Sequence, residues 1–183
     1  MQASSGQTTA PAVRDLLADG ALAGDWVLDP GRSSIRLKTR VMGLVPVNGV
    51  FRGFSGVGTI SADGRAGGIL TVAAASIDTG NVRRDRHLRS ADFLDAGNHP
   101  DIVFTVNGNR PTGPGVAVTG ALTVGGQTRP LSFGVAASVQ GNGEICVGAE
   151  VRVNRADFGL TWNPMGLVSV HNTLIIRALF TRR

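Results

Sequence analysis

From Trp26 onward, apolar residues recur at every second position rather than every third or fourth. In "SSIRLKTRV", Ile35, Leu37, Thr39 and Val41 face one way while Arg36, Lys38 and Arg40 face the other. Alternation of that kind is a half-buried strand. A second, long strand is predicted over 47–61, with Gly53, Gly56 and Gly58 marking places where it can coil. "SADG" turns the chain and "GGILTVAAASI" returns. "DIVFTVNG" sets Ile102, Phe104 and Val106 on one face, and "GVAVTGALTV" groups Val116, Val118, Leu122 and Val124. Gly125-Gly126 signals a hairpin, after which Leu131, Phe133, Val135 and Val139 continue the pattern. "QGNG" turns again, and "EICVGAEVRVN" and "SVHNTLIIRALF" supply the last two strands.

Eight antiparallel strands and no long helix favour an all-β fold closed into a barrel, because closure removes both exposed edges. A β-sandwich is the structural alternative. An eight-stranded barrel is just wide enough inside for packed side chains or one small ligand. The pattern leaves both contents open. Ahead of the barrel domain (25–183), residues 1–24 read as a polar tail followed by "PAVRDLLADGALAG". Proline early and glycine late predict a short helix from Pro11 to near Gly20. Its apolar side, Val13, Leu16 and Leu17, would cover a barrel end or a neighbouring subunit.

Composition narrows the function classes. The chain has 183 residues, 26 of them glycine, with two tryptophans and no tyrosine. Few large rings are available to plug a barrel, which helps a hollow interior. The net charge of +5 permits an anionic partner. No aromatic residue interleaves the arginines, however, as base-stacking nucleic-acid readers require, so no nucleic acid is expected. The single cysteine, Cys146, excludes an intrachain disulfide and a cysteine metal cluster. It reads as a small strand residue. Neither a secretory signal nor an apolar run of roughly 18 residues is visible. A cytoplasmic protein without stable membrane insertion is expected.

One segment breaks the pattern. "SIDTGNVRRDRHLRSADFLDAGNHPDIVF" carries Arg83, Arg84, Arg86, His87 and Arg89 around Asp85. A helical turn would stack Arg83 with Arg86 and Arg86 with Arg89 on one side. Guanidinium forks suit a diphosphate. The competing reading pairs Asp85, Asp92 or Asp95 with Arg84, Arg86 or Arg89 and ties the crossover to the barrel rim. One or two arginines could serve each purpose.

This segment resembles the signature of the YceI-like family of polyisoprenoid-binding domains, with Ser76, Asp78, Thr79, Gly80, Arg84, Asp85, His87, Leu88, Arg89, Asp92, Phe93 and Pro100 matching its pattern. "DWVLDPGRSSI", "GVFRGFSG", "GALTVGGQTRPLSF" and "RADFGL" agree in order, so the resemblance runs from about Asp25 to Phe180. It implies a bacterial protein with an extended lipocalin-like barrel of eight antiparallel strands. A short helical crossover and a long cavity able to hold an isoprenoid chain complete the picture, and a homodimer is favoured. The sequence departs from the family at Val41, where many relatives carry histidine.

The expected function is non-catalytic binding, transport or storage of an amphiphilic polyisoprenoid-type lipid, an isoprenoid quinone or prenyl phosphate. Ten buried methylenes at about 0.8 kcal/mol each supply roughly 8 kcal/mol gross, near micromolar affinity before ordering costs. The candidate wall is Ile35, Leu37, Phe51, Ile69, Phe104, Leu122, Phe133, Val151, Leu174 and Ile176. The candidate headgroup or crossover residues are Arg83, Arg84, Arg86, His87 and Arg89. A one-residue register error would turn a wall residue outward. Two other classes stay open. One is a filled-barrel interaction module using Leu179 and the Val13-Leu16-Leu17 face as a subunit contact. The other is an enzyme on a quinone-like or prenyl substrate with His87 as proton carrier, a hydrogen-bonding member of the crossover being the plainer role. No HExxH, G-x-S-x-G or phosphate loop is present, His87, His99 and His171 lack metal-ligand spacing, and no cofactor is expected. "RPLSF" is expected to open a strand, "RADFGL" to close one, and Trp162 and Met165 to sit in a loop as lid or mouth.

Overall fold

The computed structural model describes residues 12–113 and 115–183. The expected tail and Pro11 lie outside them. Eleven antiparallel strands form one sheet. They are β1 (Gly24–Leu28), β2 (Ser34–Val41), β3 (Val45–Phe51), β4 (Phe54–Ile60), β5 (Ala66–Ala73), β6 (Ile77–Asp78), β7 (Asp101–Thr112), β8 (Gly115–Val124), β9 (Gln127–Val139), β10 (Ile145–Asn154) and β11 (His171–Arg182).

Eight positions around the ring are nonetheless what closes it. β1 and β2 are successive parts of one path, interrupted by a single helical turn, Pro30–Arg32, whose preceding Asp29 carboxylate accepts from the Gly31 and Arg32 amides. On one side β1 pairs with β4 and β2 with β3; on the other, both pair with β11. The ring is therefore β11, β1/β2, β3/β4, β5, β7, β8, β9, β10 and back to β11. The long strand expected over 47–61 is β3 and β4 with a break at Arg52-Gly53. There the backbone bonds sideways: Arg52 donates to the Ser76 carbonyl (3.2 Å) and the Gly53 carbonyl accepts from Ala73 (2.9 Å).

Local chemistry explains the sharp corners. Gly125 and Gly126, both at positive φ (54° and 75°), make the two-residue turn from β8 to β9, which twists with the strands as tight hairpins need. Inside the barrel, a Cβ on Gly120 would lie 2.8 Å from the Phe104 ring. The bare glycine lets that ring lie across β8 and reach Phe133, 5.3 Å away between centroids. Pro130 falls inside β9 rather than at its start. That half of β9 is bonded to β8, but its pairs with β10 begin only at Ala136↔Gly148, so a proline costs little there. Below that pair the two strands part.

The two ends are covered differently. α1 (Val13–Ala18) packs Val13, Leu16 and Leu17 on a cluster of Leu22, Trp26 and Ile145. At the other end the connection from β5 to β7 lays α2 (Val82–Arg89) and the turns after it across the barrel, with Leu88, Phe93 and Leu94 against the main core.

Candidate ligand-binding cavity and its mouth

Between these caps the barrel encloses a cavity of about 350 Å³, bordered by Val13 and Leu17 at one end and by Leu88, Phe93 and Leu94 at the other. That lies at the lower end of the roughly 300–1,000 Å³ typical of small-molecule sites. Ile35, Leu37, Phe51, Phe104, Leu122, Phe133, Val151, Leu174 and Ile176 all border it. Ile35, Phe51, Phe104, Leu122 and Val151 are buried, and Leu37, Phe133, Leu174 and Ile176 are partly buried beside them.

Ile69 borders the cavity too, but without a buried side chain. It is 47% exposed and pairs with Val57, 51% exposed, on the outer wall. The inward residues of β5 are Gly68, Leu70 and Val72, and Leu70 pairs with Phe104. Gly56, Gly58 and Gly68 border the cavity here, so this stretch of wall is thin backbone. The surfaces considered for a subunit contact are also taken up internally. Leu179 is 8% exposed, and the Val13-Leu16-Leu17 face packs on Trp26.

Few polar groups reach the cavity, and several are already satisfied. The Ser33 hydroxyl donates to the Asp29 carbonyl and accepts from the Leu179 amide. Asn109 accepts from the Ala66 amide and donates to the Gly64 carbonyl. Arg155, 2% exposed, is the unexpected one. Its guanidinium donates to the carbonyls of Ser169 (3.1 Å), Leu160, Trp162 (3.0 Å) and Val168 (3.4 Å). It also lies 5.6 Å from the Phe93 ring. Burial pulls its pKa below the usual arginine value. Arg155 thus gathers the loop from β10 to β11 around one charge, a role that "RADFGL" did not advertise.

The arginine segment divides by geometry. Asn81 caps α2 by accepting from the Arg84 amide (3.0 Å). Buried Asp85 accepts from the Thr79 amide (3.0 Å) and hydroxyl (2.5 Å). Arg84 donates to the Thr79 hydroxyl oxygen (2.7 Å) and carbonyl (2.9 Å), and Arg89 to the Ile77 carbonyl (2.7 Å). Thr79 therefore joins Arg84 to Asp85. The expected pairing of Asp85, Asp92 or Asp95 with Arg84, Arg86 or Arg89 is not how the crossover is tied, since Asp95 bonds Asn98 instead. Arg83 and Arg86 are exposed and make no hydrogen bond or ion pair among the described residues. His87 packs its ring against Trp162 in a tilted contact, 4.2 Å between centroids, and its buried Nε2 has no partner among the described residues. Asn81, Arg83, Arg84, His87 and Trp162 line a shallow recess beside the capped barrel end.

The YceI-like domain pattern matches residues 26–180. The chain belongs to the YceI-like family. It is 32% identical over 170 residues to a UPF0312 protein of Serratia proteamaculans, covering 88% of each chain. To the protein YceI of Escherichia coli O17:K52:H18 it is 31% identical over 120 residues, 63% of each chain. It therefore spans under two thirds of the length of that curated relative. Among solved structures, BcnA of Burkholderia cenocepacia superposes with a TM-score of 0.76 at 21% identity, covering 84% of this chain and 99% of that one. A polyisoprenoid binding domain from Saccharophagus degradans superposes at 0.71 with 17% identity, covering 86% and 98%. These two share the fold. Within this YceI-like barrel, Val41 pairs with Val45 and bridges to Val168, joining two loops.

Proposed function

We propose that this barrel is a non-catalytic carrier of one amphiphilic, isoprenoid-type lipid. The observation that carries the reading is an apolar cavity along the barrel axis, lined by aliphatic and phenyl side chains such as Ile35, Phe51, Phe104 and Leu174. Taking about 30 Å³ for a water-sized group such as a methylene, that volume suits on the order of ten such groups. At about 0.8 kcal/mol each, packing alone supplies roughly 8 kcal/mol gross. A short prenyl chain, or the buried part of a longer one, matches this scale.

The headgroup belongs outside the cavity. Ser33, Asn109 and Arg155 spend their hydrogen bonds on the protein itself, and an unpaired headgroup among apolar side chains would lose its water without compensation. The recess of Arg83, His87 and Trp162 offers the exposed Arg83 guanidinium, which has no partner among the described residues. A phosphate or a quinone carbonyl suits it as an acceptor.

Native mass spectrometry of the purified chain tests the reading, followed by uptake of farnesol and farnesyl diphosphate. The expected result is a co-purifying or added lipid bound one per chain. In Ala149→Phe an inward position opposite Ile176 would fill the tunnel, weakening uptake roughly tenfold through the loss of about two buried methylenes. A folded protein that neither carries nor takes up such molecules overturns the proposal.

A further inference from the structure

All the exposed large apolar side chains among the described residues, apart from Val57 and Ile69, lie at the α2 end of the barrel. The tip of the β2–β3 hairpin presents Met42 (62% exposed), Leu44 (85%) and Val45 (54%). The loop before β11 presents Met165 (89%) and Trp162 (40%). The two loops are one surface: the Met42 amide donates to the Leu167 carbonyl (2.5 Å), and the Ser169 amide to that of Arg40 (2.9 Å). Trp162 carries the surface on to α2 through His87.

Met42 and Met165 both stand at φ 56°, a left-handed conformation that residues with a side chain adopt at a cost. Two strained backbones thus hold flexible apolar side chains out into solvent. Such strain persists where a function uses it.

Charge says what the surface fits. Lys38 and Arg40 flank the hairpin, exposed and without a partner among the described residues, as do Arg83 and Arg86 on α2. No acidic residue occurs in 38–48 or 159–174. On α2 the one acid, Asp85, is buried and bonded to Thr79. Exposed Asp92 and Asp157 fall outside these segments. From this apolar tip, flanked by four exposed cations without a partner among the described residues, we infer that the α2 end docks on an anionic lipid bilayer, its two loop tips among the acyl chains and its cations on the headgroups. The combination of apolar insertion and basic attraction is what peripheral binding requires. Docking is peripheral, since no helix among the described residues is long and apolar enough to cross a bilayer. It is independent of what the barrel carries.

Co-sedimentation of the full chain with vesicles tests this. Wild type is expected to pellet with phosphatidylethanolamine–phosphatidylglycerol vesicles, less with rising salt, and far less with phosphatidylcholine alone. The triple variant Met42→Asn, Leu44→Ser, Met165→Asn removes the apolar tips while asparagine tolerates the left-handed backbone. It is expected to bind the anionic vesicles roughly tenfold more weakly or worse. Lys38→Glu with Arg40→Glu should do the same at low salt. A measurement on unaltered protein stands beside these: with Trp26 buried, a blue shift of emission on adding vesicles reports Trp162. Wild type left in the supernatant, unshifted emission, or full binding by the triple variant each overturns the inference. A concentration-dependent dimer abolished by the triple variant, without vesicle binding, overturns it too and assigns the surface to a second copy of the chain.

Discussion

The two ends of the barrel are built from similar materials to opposite effect. At the α1 end Val13, Leu16 and Leu17 close over Leu22, Trp26 and Ile145 in one packed cluster. The Trp26 indole donates to the Leu22 carbonyl (3.0 Å), and Arg182 sits 5.0 Å from its ring while donating to the Ala21 and Ala23 carbonyls. At the α2 end an indole of the same kind, Trp162, lies 40% exposed against the His87 imidazole, whose Nε2 has no partner among the described residues, near the exposed Arg83 and Arg86. A tryptophan that is packed and bonded makes a plug. One left half in water beside free charge makes a mouth. The difference teaches that packing is completed at one end of this tunnel and left incomplete at the other.

Removing the plug is the severest way to break the comparison. Trp26→Ala takes the centre out of the cluster that α1 covers, and is expected to cost about 3–5 kcal/mol, as large-to-small changes of buried tryptophan do. Chemical denaturation followed by circular dichroism measures it. If Trp26→Ala costs no more than Trp162→Ala, the α1 end is not a plug and the contrast fails.

A sharper version stays within α2. Arg84 makes two hydrogen bonds to Thr79, whereas Arg86 makes none among the described residues. Arg84→Ala is expected to cost about 1–3 kcal/mol, since it also strips a donor from the Thr79–Asp85 pair. Arg86→Ala should stay within about 0.5 kcal/mol, as surface changes usually do. Thermal unfolding of the two variants side by side checks it; equal losses would mean that the helix is not divided between tie and free face.

Much of this was readable from sequence, and the failures have physical reasons. Strict alternation over Ser34–Val41 and the Gly125-Gly126 turn announced the barrel and its register. The outward side chain of Ile69 was not legible because Gly67 and Gly68 precede it. Two residues without side chains carry no mark of which face is inside, and period-two patterning cannot cross such a gap. The break at Arg52-Gly53 depends on backbone bonds to Ala73 and Ser76, distant in sequence. Arg155 looked like any strand-end arginine, because its burial is decided by carbonyls up to fourteen residues downstream. Within α2 the arginines were legible as a group but not individually. Thr79, which decides between them, has no charge to draw attention to it.

The smallest expected effect concerns how the ends hold charge. Beside the plug, Arg32 spans Asp29 (2.7 Å) and both oxygens of Glu144 (2.7 and 3.1 Å). The hydrogen bond from Arg32 is the main reason that the Glu144 carboxyl stays below its ordinary 4.5, and Asp29 is lowered by the same guanidinium. A carboxyl with a lower pKa in the folded chain than in the unfolded one contributes stability above the unfolded value, and that contribution fades as pH falls through the folded value. Stability should therefore hold from neutrality to about pH 5 and decline below pH 4.5. Asp78 at the α2 end, lowered first by the Gly80 amide and then by Arg52, adds to the same decline. Glu144→Gln separates the two ends. It should lower the melting temperature slightly at neutral pH, with the gap from wild type closing in acid, because wild-type Glu144 is then protonated as well. A gap that stays constant from pH 7 to pH 3 would mean that Glu144 acts through shape alone. The closed end would then owe its tightness to Trp26 and its neighbours, with its ion pairs as ornament on an apolar seal.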